Sequence, residues 1–145
     1  MTADGTTDPA PRVRYEPRPT EVSAPFWDAT REGRLLLQWC VPCDRAIFFP
    51  RSVFPGCLGT DLEWRPASGN GTVYAVTVEH RPQNPLLADR APYAVALVDL
   101  AEGVRMLTNV MGCPPHDVTV GMAVRVTWEP LSDGRQLPMF EPAGS

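Results

Sequence analysis

Three of the four cysteines lie close together in the sequence, in a pattern typical of half a zinc ribbon. Cys40 and Cys43 form a Cys-x2-Cys pair with Pro42 between them, and Cys57 follows further along the chain. Thiolates at this spacing converge on one metal ion because a tight turn directs both sulfur atoms to the same side. A complete ribbon has a second pair, but Phe54 holds the position three residues before Cys57. The sequence therefore predicts a ribbon scaffold whose set of metal ligands is incomplete.

Other residues able to do chemistry are few and scattered. His80 is followed by Arg81, and the two could meet a phosphate or a carboxylate, although a surface histidine is the plainer interpretation. His116 is predicted to lie in a turn. Cys113 could be a nucleophile, but the spacing places no base beside it, so a buried thiol is the simpler reading. The sequence contains no glycine-rich phosphate loop, serine elbow or His-Glu metal signature, and we predict no catalytic residues in this chain.

Composition narrows the class of protein. The 145 residues suffice for one ordinary domain or two small modules, and 43% of them are hydrophobic. The net charge of −4 argues against a protein that binds nucleic-acid phosphates. No apolar run approaches the length of a membrane span, and the amino terminus lacks the apolar stretch of a signal peptide. We expect a cytoplasmic protein with reduced cysteines and no membrane contact.

The elements that must position these residues fall into four predicted segments: a flexible tail over 1–20, a helical segment over 21–34, a ribbon-like module over 35–66 and a barrel over 67–145. A helix is predicted over 23–31, since Ser23 is a good N-cap and Gly33 supplies a stop. Phe26 and Trp27 on this helix either pin it to the body or dock on a partner.

Alternating and β-branched runs predict a mainly β fold for the rest. Three short ribbon strands are expected over 34–39, 46–49 and 61–64. The second half predicts five strands, over 71–79, 92–100, 103–110, 121–130 and 137–140. Five short strands with connections of unequal length are typical of a closed Greek-key barrel of the OB type.

The long connection after the first barrel strand carries apolar residues where a solvated loop would be polar. Leu86 and Leu87 lie amid proline, aspartate and arginine in the string HRPQNPLLADRAPY. They either fold over the barrel mouth or face outward as a contact surface. In the second case they would join Phe26, Trp27 and an aromatic of the ribbon in a partner interface. Arg81 and Arg90 flank this loop and could approach a phosphate group.

Six strings in this order resemble a known family, the zinc-ribbon/OB-fold acyl-CoA-associated proteins of domain-of-unknown-function family thirty-five. The strings are FWDATREGRLLLQWCVPC, FPRSVFPGCLGTDLEW, ASGNGTVYAVTVEHRP, PYAVALVDLAEGVRMLTNVMGC, VGMAVRVTWEP and LPMFEPA. The resemblance covers about 21–143. It implies an N-terminal helix, a rubredoxin-like zinc ribbon and a five-stranded OB barrel.

The resemblance also implies a structural zinc held by four cysteines. Cys40, Cys43 and Cys57 match three of the family's positions, and Phe54 replaces the other. Two outcomes are open: three thiolates hold zinc with water or Asp61 as fourth ligand, or the Phe54 ring fills the centre and the module is metal-free. We expect well under one zinc per purified chain.

Members of this family accompany thiolase-like or lipid-transfer-type enzymes that act on acyl-CoA esters. The resemblance therefore implies a non-catalytic accessory subunit, in a two-plus-two complex, sharing a CoA thioester with its partner. The implied chemistry is thiolysis, acyl transfer or retro-aldol cleavage, for example of a steroid side-chain CoA ester. The contact residues we predict are Phe26, Trp27, His80, Arg81, Leu86, Leu87 and Arg90. The alternatives are a stand-alone acyl-CoA-binding OB module and a single-stranded nucleic-acid-binding OB protein.

Overall fold

The computed structural model describes residues 15–144. Most of the segment predicted as a flexible tail, residues 1–14, lies outside this described part. Within it, one α-helix and eight β-strands follow each other: α1 (Ala24–Thr30), β1 (Leu36–Cys40), β2 (Arg45–Ile47), β3 (Leu62–Pro66), β4 (Asn70–Glu79), β5 (Tyr93–Leu100), β6 (Arg105–Val110), β7 (Ala123–Pro130) and β8 (Gln136–Pro142). The predicted mainly β fold is confirmed, with the predicted ends shifted by no more than two residues.

The first three strands form a small antiparallel sheet in the order β2-β1-β3. β1 lies in the middle, with Cys40 opposite Arg45 on one side and opposite Leu62 on the other. The Cys40 end of β1 therefore opens into the turn that carries Cys43. This is the hairpin geometry that the Cys-x2-Cys spacing predicts.

The other five strands close into a barrel in the order β4-β5-β6-β8-β7. Pairing of Gly71 with Val124 closes the barrel between β4 and β7, and β6 meets β8 in parallel where Val110 faces Phe140. Gly69, just before β4, has φ +82, and a Cβ there would lie 2.6 Å from the Val126 side chain. Only glycine fits this close approach where the chain enters the barrel.

One hydrophobic core joins the helix, the small sheet and the barrel. Phe26 of α1 and Leu37 of β1 belong to the same cluster of buried side chains as Val98 of β5 and Phe140 of β8. Leu37 is 1% exposed, and burying a leucine stabilises a fold by about 1.5–3 kcal/mol. The small sheet therefore draws part of its stability from packing against the barrel.

The end of the predicted tail is hydrogen-bonded to the barrel at Glu16 and Pro17. The Ser132 backbone N–H and hydroxyl both donate to the Glu16 carboxylate, at 2.9 and 2.7 Å. The Arg135 guanidinium donates to the Pro17 carbonyl at 2.8 Å. A low-complexity composition predicted mobility because it could not reveal these partners, which lie more than a hundred positions away in the sequence.

Across residues 15–144, the structure contains no helix with the length and apolar character needed to span a membrane.

Candidate functional site

The three ribbon cysteines meet in one cluster, as their spacing predicts. The sulfur atoms of Cys40, Cys43 and Cys57 all lie within 4.8 Å of one another, and those of Cys40 and Cys57 are 3.6 Å apart. Two thiolates bound tetrahedrally to one zinc, each at about 2.3 Å, lie about 3.8 Å apart. This cysteine cluster therefore has the dimensions of a site for a single thiophilic ion.

Both turns that present the sulfurs place a residue with positive φ directly after a cysteine, although their closing hydrogen bonds span three and four residues. Asp44 and Leu58, each directly after a cysteine, have φ +52 and +60, which is uncommon for residues other than glycine. The Asp44 N–H donates to the Val41 carbonyl at 3.3 Å, and the Leu58 N–H donates to the Phe54 carbonyl at 2.7 Å. The second turn therefore keeps its form although Phe54 stands in place of its first cysteine.

The thiols of the cluster differ in acidity. A backbone N–H of Gly59 donates toward the Cys57 sulfur and lowers the pKa of Cys57. Hydrogen bonding to Cys57, together with burial, raises the pKa of Cys43 to about 11. Because a metal ion binds thiolates, occupation of the cluster would release the Cys43 proton.

Phe54 does not separate the sulfurs. Its ring lies against its own turn, where a Cβ on Gly56 would come within 2.6 Å of the ring. Three sulfur atoms within 4.8 Å of one another leave no room for a ring between them. Asp61, predicted as a possible fourth ligand, is not part of the cluster of metal-ligating atoms found among residues 15–144. The described chain thus supplies three ligands.

A second feature is an apolar groove where helix, ribbon and barrel meet. Its volume is about 340 Å³, and its apolar lining includes Phe26, Trp27, Phe48, Phe49, Pro50, Met106, Leu107, Leu137 and Pro138. Phe49 and Leu107 are 65% and 66% exposed. Apolar side chains of this size, clustered and open to solvent, are typical of a contact surface.

The exposed Phe49 is held in place by a buried side chain. Gln38 of β1 donates through Nε2 to the Arg51 carbonyl at 2.6 Å, and its Oε1 accepts from the Arg51 N–H at 2.7 Å. This pair of bonds fastens the loop after β2 to the sheet. Phe49 also packs against Phe48, with ring centroids 4.5 Å apart. The loop therefore presents Phe49 in a defined position before any partner arrives.

The two helix aromatics have different environments. Phe26 is 4% exposed and packs edge-on against Trp27 at 5.0 Å and against Phe48 at 5.9 Å. Phe26 thus pins α1 to the body and also lines the groove, and its contact with a partner stays a prediction. Trp27 is half-buried, and the Arg135 guanidinium lies 5.5 Å from its ring. Trp27 remains available at the groove.

The loop after β4 borders a separate cavity, lined by Leu87, Arg90 and Cys113 among others, which we call the loop depression. The segment Pro85–Arg90 is a short 3-10 turn, in which Asn84 caps by accepting from the Leu86 N–H at 3.0 Å. Leu86 is 36% exposed, whereas Leu87 is half-buried and lines a cavity of about 240 Å³ with Arg90 and Cys113. The loop depression shares no lining residue with the apolar groove. The joining of these leucines with the helix aromatics into one partner interface stays a prediction.

Arg90 is already engaged at the edge of this depression. Its guanidinium donates to the Glu129 carboxylate at 2.5 Å, and Glu129 is largely buried. Its Nη1 atom is buried and has no hydrogen-bond partner among residues 15–144. Burial raises the pKa of the nearby Cys113 thiol, which keeps it protonated and weakens it as a nucleophile. The depression is thus apolar, with one largely compensated positive charge.

The two histidines, far apart in sequence, lie side by side. Their ring centroids are 5.4 Å apart, and both residues are exposed. His80 ends the strand side of the loop and His116 lies in a second 3-10 turn, Pro115–Asp117. Arg81, next to His80, is exposed and uses its backbone N–H to donate to Glu79. The sequence predicted a surface position for His80 and a turn for His116, but it could not predict that the two rings lie side by side.

Comparison with known proteins identifies the fold and its family. Residues 27–63 match the family profile "ChsH2, rubredoxin-like zinc ribbon domain", and residues 64–129 match "ChsH2, C-terminal OB-fold domain". A chain of the solved structure "Ltp2-ChsH2(DUF35) aldolase" superposes with a TM-score of 0.80 and 35% identity, covering 89% of this chain and all of that one. This chain belongs to the DUF35 family.

DUF35 relatives carry names of two kinds. The chain is 38% identical to a probable enoyl-CoA hydratase alpha subunit of Thermomonospora curvata, and 32% identical to the 3-oxo-4,17-pregnadiene-20-carboxyl-CoA hydratase alpha subunit of Mycobacterium tuberculosis. These matches cover 81% and 85% of this chain but only 37% and 39% of the relatives' lengths. A DUF35 domain-containing scaffold protein of Methanocaldococcus jannaschii is 32% identical, over 65% of this chain and 67% of its own length.

Within this DUF35 chain, the site residue that sequence reasoning missed is Leu107. It lies in β6 between the buried Met106 and Thr108, so it is the outward-facing apolar residue of an alternating strand. The alternation was visible in the sequence, but the position of β6 beside the ribbon loop was not. Only the folded chain brings Leu107 into the same groove as Phe49.

Proposed function

We propose that this chain is a non-catalytic accessory subunit that binds a thiolase-like or lipid-transfer-type enzyme and helps to form its acyl-CoA site. The observation that carries the proposal is the preformed apolar groove. The names of similar proteins agree with it, since they describe alpha subunits, scaffold proteins and a component of an aldolase. The groove supports a subunit contact because large apolar side chains stay exposed there at a cost that burial against a partner would recover.

The partner enzyme is the occupant that fits the groove best. Phe49 and Leu107 are exposed, and the half-buried Trp27 and Leu137 also line the groove. Aromatic residues in a desolvated pocket carry most of the binding energy of typical interfaces. The Gln38 bonds that fix the Phe49 loop reduce the entropy lost on binding. We place the centre of the interface at Phe49.

The loop depression is where we propose contact with the CoA thioester. Leu87, which lines the cavity, and the exposed Leu86 supply apolar surface for an acyl or pantetheine chain. His80 and Arg81, at the start of the same loop, are exposed and are the contacts that we propose for a phosphate group. Arg90 has its charge largely met by Glu129, so its role there is secondary to that of Arg81. An exposed arginine recognises phosphate oxygens through its planar set of N–H donors.

The reactive groups would come from the partner. We propose thiolysis, acyl transfer or retro-aldol cleavage of a CoA ester, with a steroid side chain as one candidate substrate, which the name of the M. tuberculosis relative supports. In this chain Cys113 is held protonated by its surroundings, as befits a structural thiol. A dimeric partner would bind two copies of this chain by symmetry, giving a two-plus-two complex.

The alternative of single-stranded nucleic-acid binding finds little support on the barrel surface. The exposed barrel aromatic Tyr74 lies beneath Arg105, whose guanidinium is 3.4 Å from the ring. Arg105 in turn pairs with Asp99 at 2.6 Å. A strand-binding groove needs open aromatic faces and uncompensated positive charge, and neither is present at Tyr74 and Arg105.

Co-expression with a thiolase-like enzyme from the same genome tests the proposal. We expect a stable complex by size-exclusion chromatography and turnover of acyl-CoA by the complex. Arg81→Ala should leave the complex intact and raise its KM for acyl-CoA, whereas the matched exposed-arginine control Arg45→Ala should change neither. An unchanged KM for Arg81→Ala would remove Arg81 from the CoA site, and failure to form any complex would refute the subunit role.

A further inference from the structure

The cysteine cluster departs from the closed metal site that a zinc ribbon implies, and this departure has chemical consequences. A structural zinc site normally has four protein ligands, which exclude outside molecules. Here the described chain provides three sulfurs, and the position from which a fourth cysteine would reach is occupied by Phe54. A benzene ring donates no electron pair to a metal ion as a thiolate does.

We propose that this ribbon is a three-thiolate metal site with an open fourth position that a small external thiol, or water in its absence, occupies. The sulfur separations fit one ion, as the 3.6 Å between Cys40 and Cys57 shows. The cluster is reachable, since Cys57 is exposed and Cys43 is half-buried, although Cys40 is buried in β1. Soft thiolate ligands favour zinc and related thiophilic ions, and a further thiolate is the ligand that best completes the set.

The ribbon can hold this open form because its fold does not depend on four metal bonds. Both turns keep their left-handed residues, Asp44 and Leu58, with their hydrogen bonds. Leu35, directly before β1, and Leu37 of β1 are buried in the core that continues into the barrel. Metal held by three thiolates and a water would exchange readily, so the inference agrees with the expectation of well under one zinc per purified chain.

The test uses cobalt as an optical probe in the full-length protein, kept reduced by a phosphine that contains no thiol. The intensity of thiolate-to-cobalt charge-transfer absorption grows with the number of bound thiolates. We expect the native protein to bind one cobalt ion and to gain about one-third in this intensity when 2-mercaptoethanol is added, since a fourth thiolate joins three. Cys57→Ser should lose cobalt binding.

Phe54→Cys is the matched variant, because the backbone of its turn is already formed. It should show the higher intensity without added thiol, no response to 2-mercaptoethanol, and close to one retained zinc after dialysis against a chelator. The inference is overturned if the native spectrum does not respond to the thiol, if native and Phe54→Cys proteins give the same intensity, or if the native chain binds no cobalt. It does not depend on the partner enzyme, so it stands or falls separately from the proposed function.

Discussion

Truncating Phe49 should weaken binding of the partner enzyme far more than it weakens the fold. The side chain is 65% exposed and lies at the rim of the apolar groove. A phenylalanine side chain buries about 150–250 Å², so roughly 130 Å² of Phe49 remains to be covered by a partner. At about 25 cal/mol per Å², this area is worth about 3 kcal/mol.

Because alanine retains part of the contact, we expect Phe49→Ala to lose about 2–3 kcal/mol of binding free energy. That loss corresponds to a roughly 30- to 150-fold larger Kd, since each 1.4 kcal/mol is tenfold. Leu107→Ala should act in the same direction with a smaller effect, as its side chain is smaller. Isothermal titration of the purified partner with each variant measures these changes.

Val120→Ala is the matched control, because Val120 is 67% exposed but lies outside the lining of the groove. It should leave the Kd unchanged, and none of the three variants should lower the Tm by more than a degree or two, since all three side chains are largely solvated. If Phe49→Ala binds the partner as tightly as the native protein does, the groove is not the interface and the assignment is wrong.

Two further predictions concern the framework of the site. Thr30→Val removes the fully buried hydroxyl that accepts from the Gln136 N–H at 3.1 Å. The unpaired donor should cost about 1–3 kcal/mol, seen as a lower Tm by calorimetry. Thr30→Ser should recover most of the loss, and an unchanged Tm for Thr30→Val would show that this hydrogen bond does not stabilise the fold. Arg105 lowers the pKa of Asp99, so this pair stabilises the protein above the unfolded aspartate pKa of about 3.9, and the stabilisation disappears as the pH falls through the folded value. The Tm deficit of Arg105→Gln should therefore be present at neutral pH and vanish near pH 2, and a deficit independent of pH would contradict this reasoning.

Most of the fold could be predicted from local patterns. Alternation located the strands, and the Cys-x2-Cys spacing located the turn that gathers the sulfurs. Strict alternation along β7 puts Glu129, four residues after Arg125, on the same side of the strand as Arg125. The structure buries Glu129 and leaves Arg125 exposed, because Glu129 meets Arg90 from the loop after β4. A contact between positions 39 residues apart leaves no periodic signal in either segment.

The candidate site was less predictable than the fold, since its parts come from separate elements. The groove joins the helix, the loop after β2 and the outward side of β6, and no single string contains Trp27, Phe49 and Leu107 together. The sequence showed that Phe26 and Trp27 were aromatic neighbours but not that one would be buried and the other half-exposed. Helical spacing alone does not say which face of so short a helix meets the core.

The central claim is that this chain supplies binding surface and its partner supplies the reactive groups. The most direct measurement compares turnover of acyl-CoA thioesters by the isolated chain, by the isolated partner and by the reconstituted complex. We predict no turnover above background by this chain alone and full activity only in the complex. Turnover by the isolated chain at an enzyme-like rate, about 1 s⁻¹ or faster, would contradict the account.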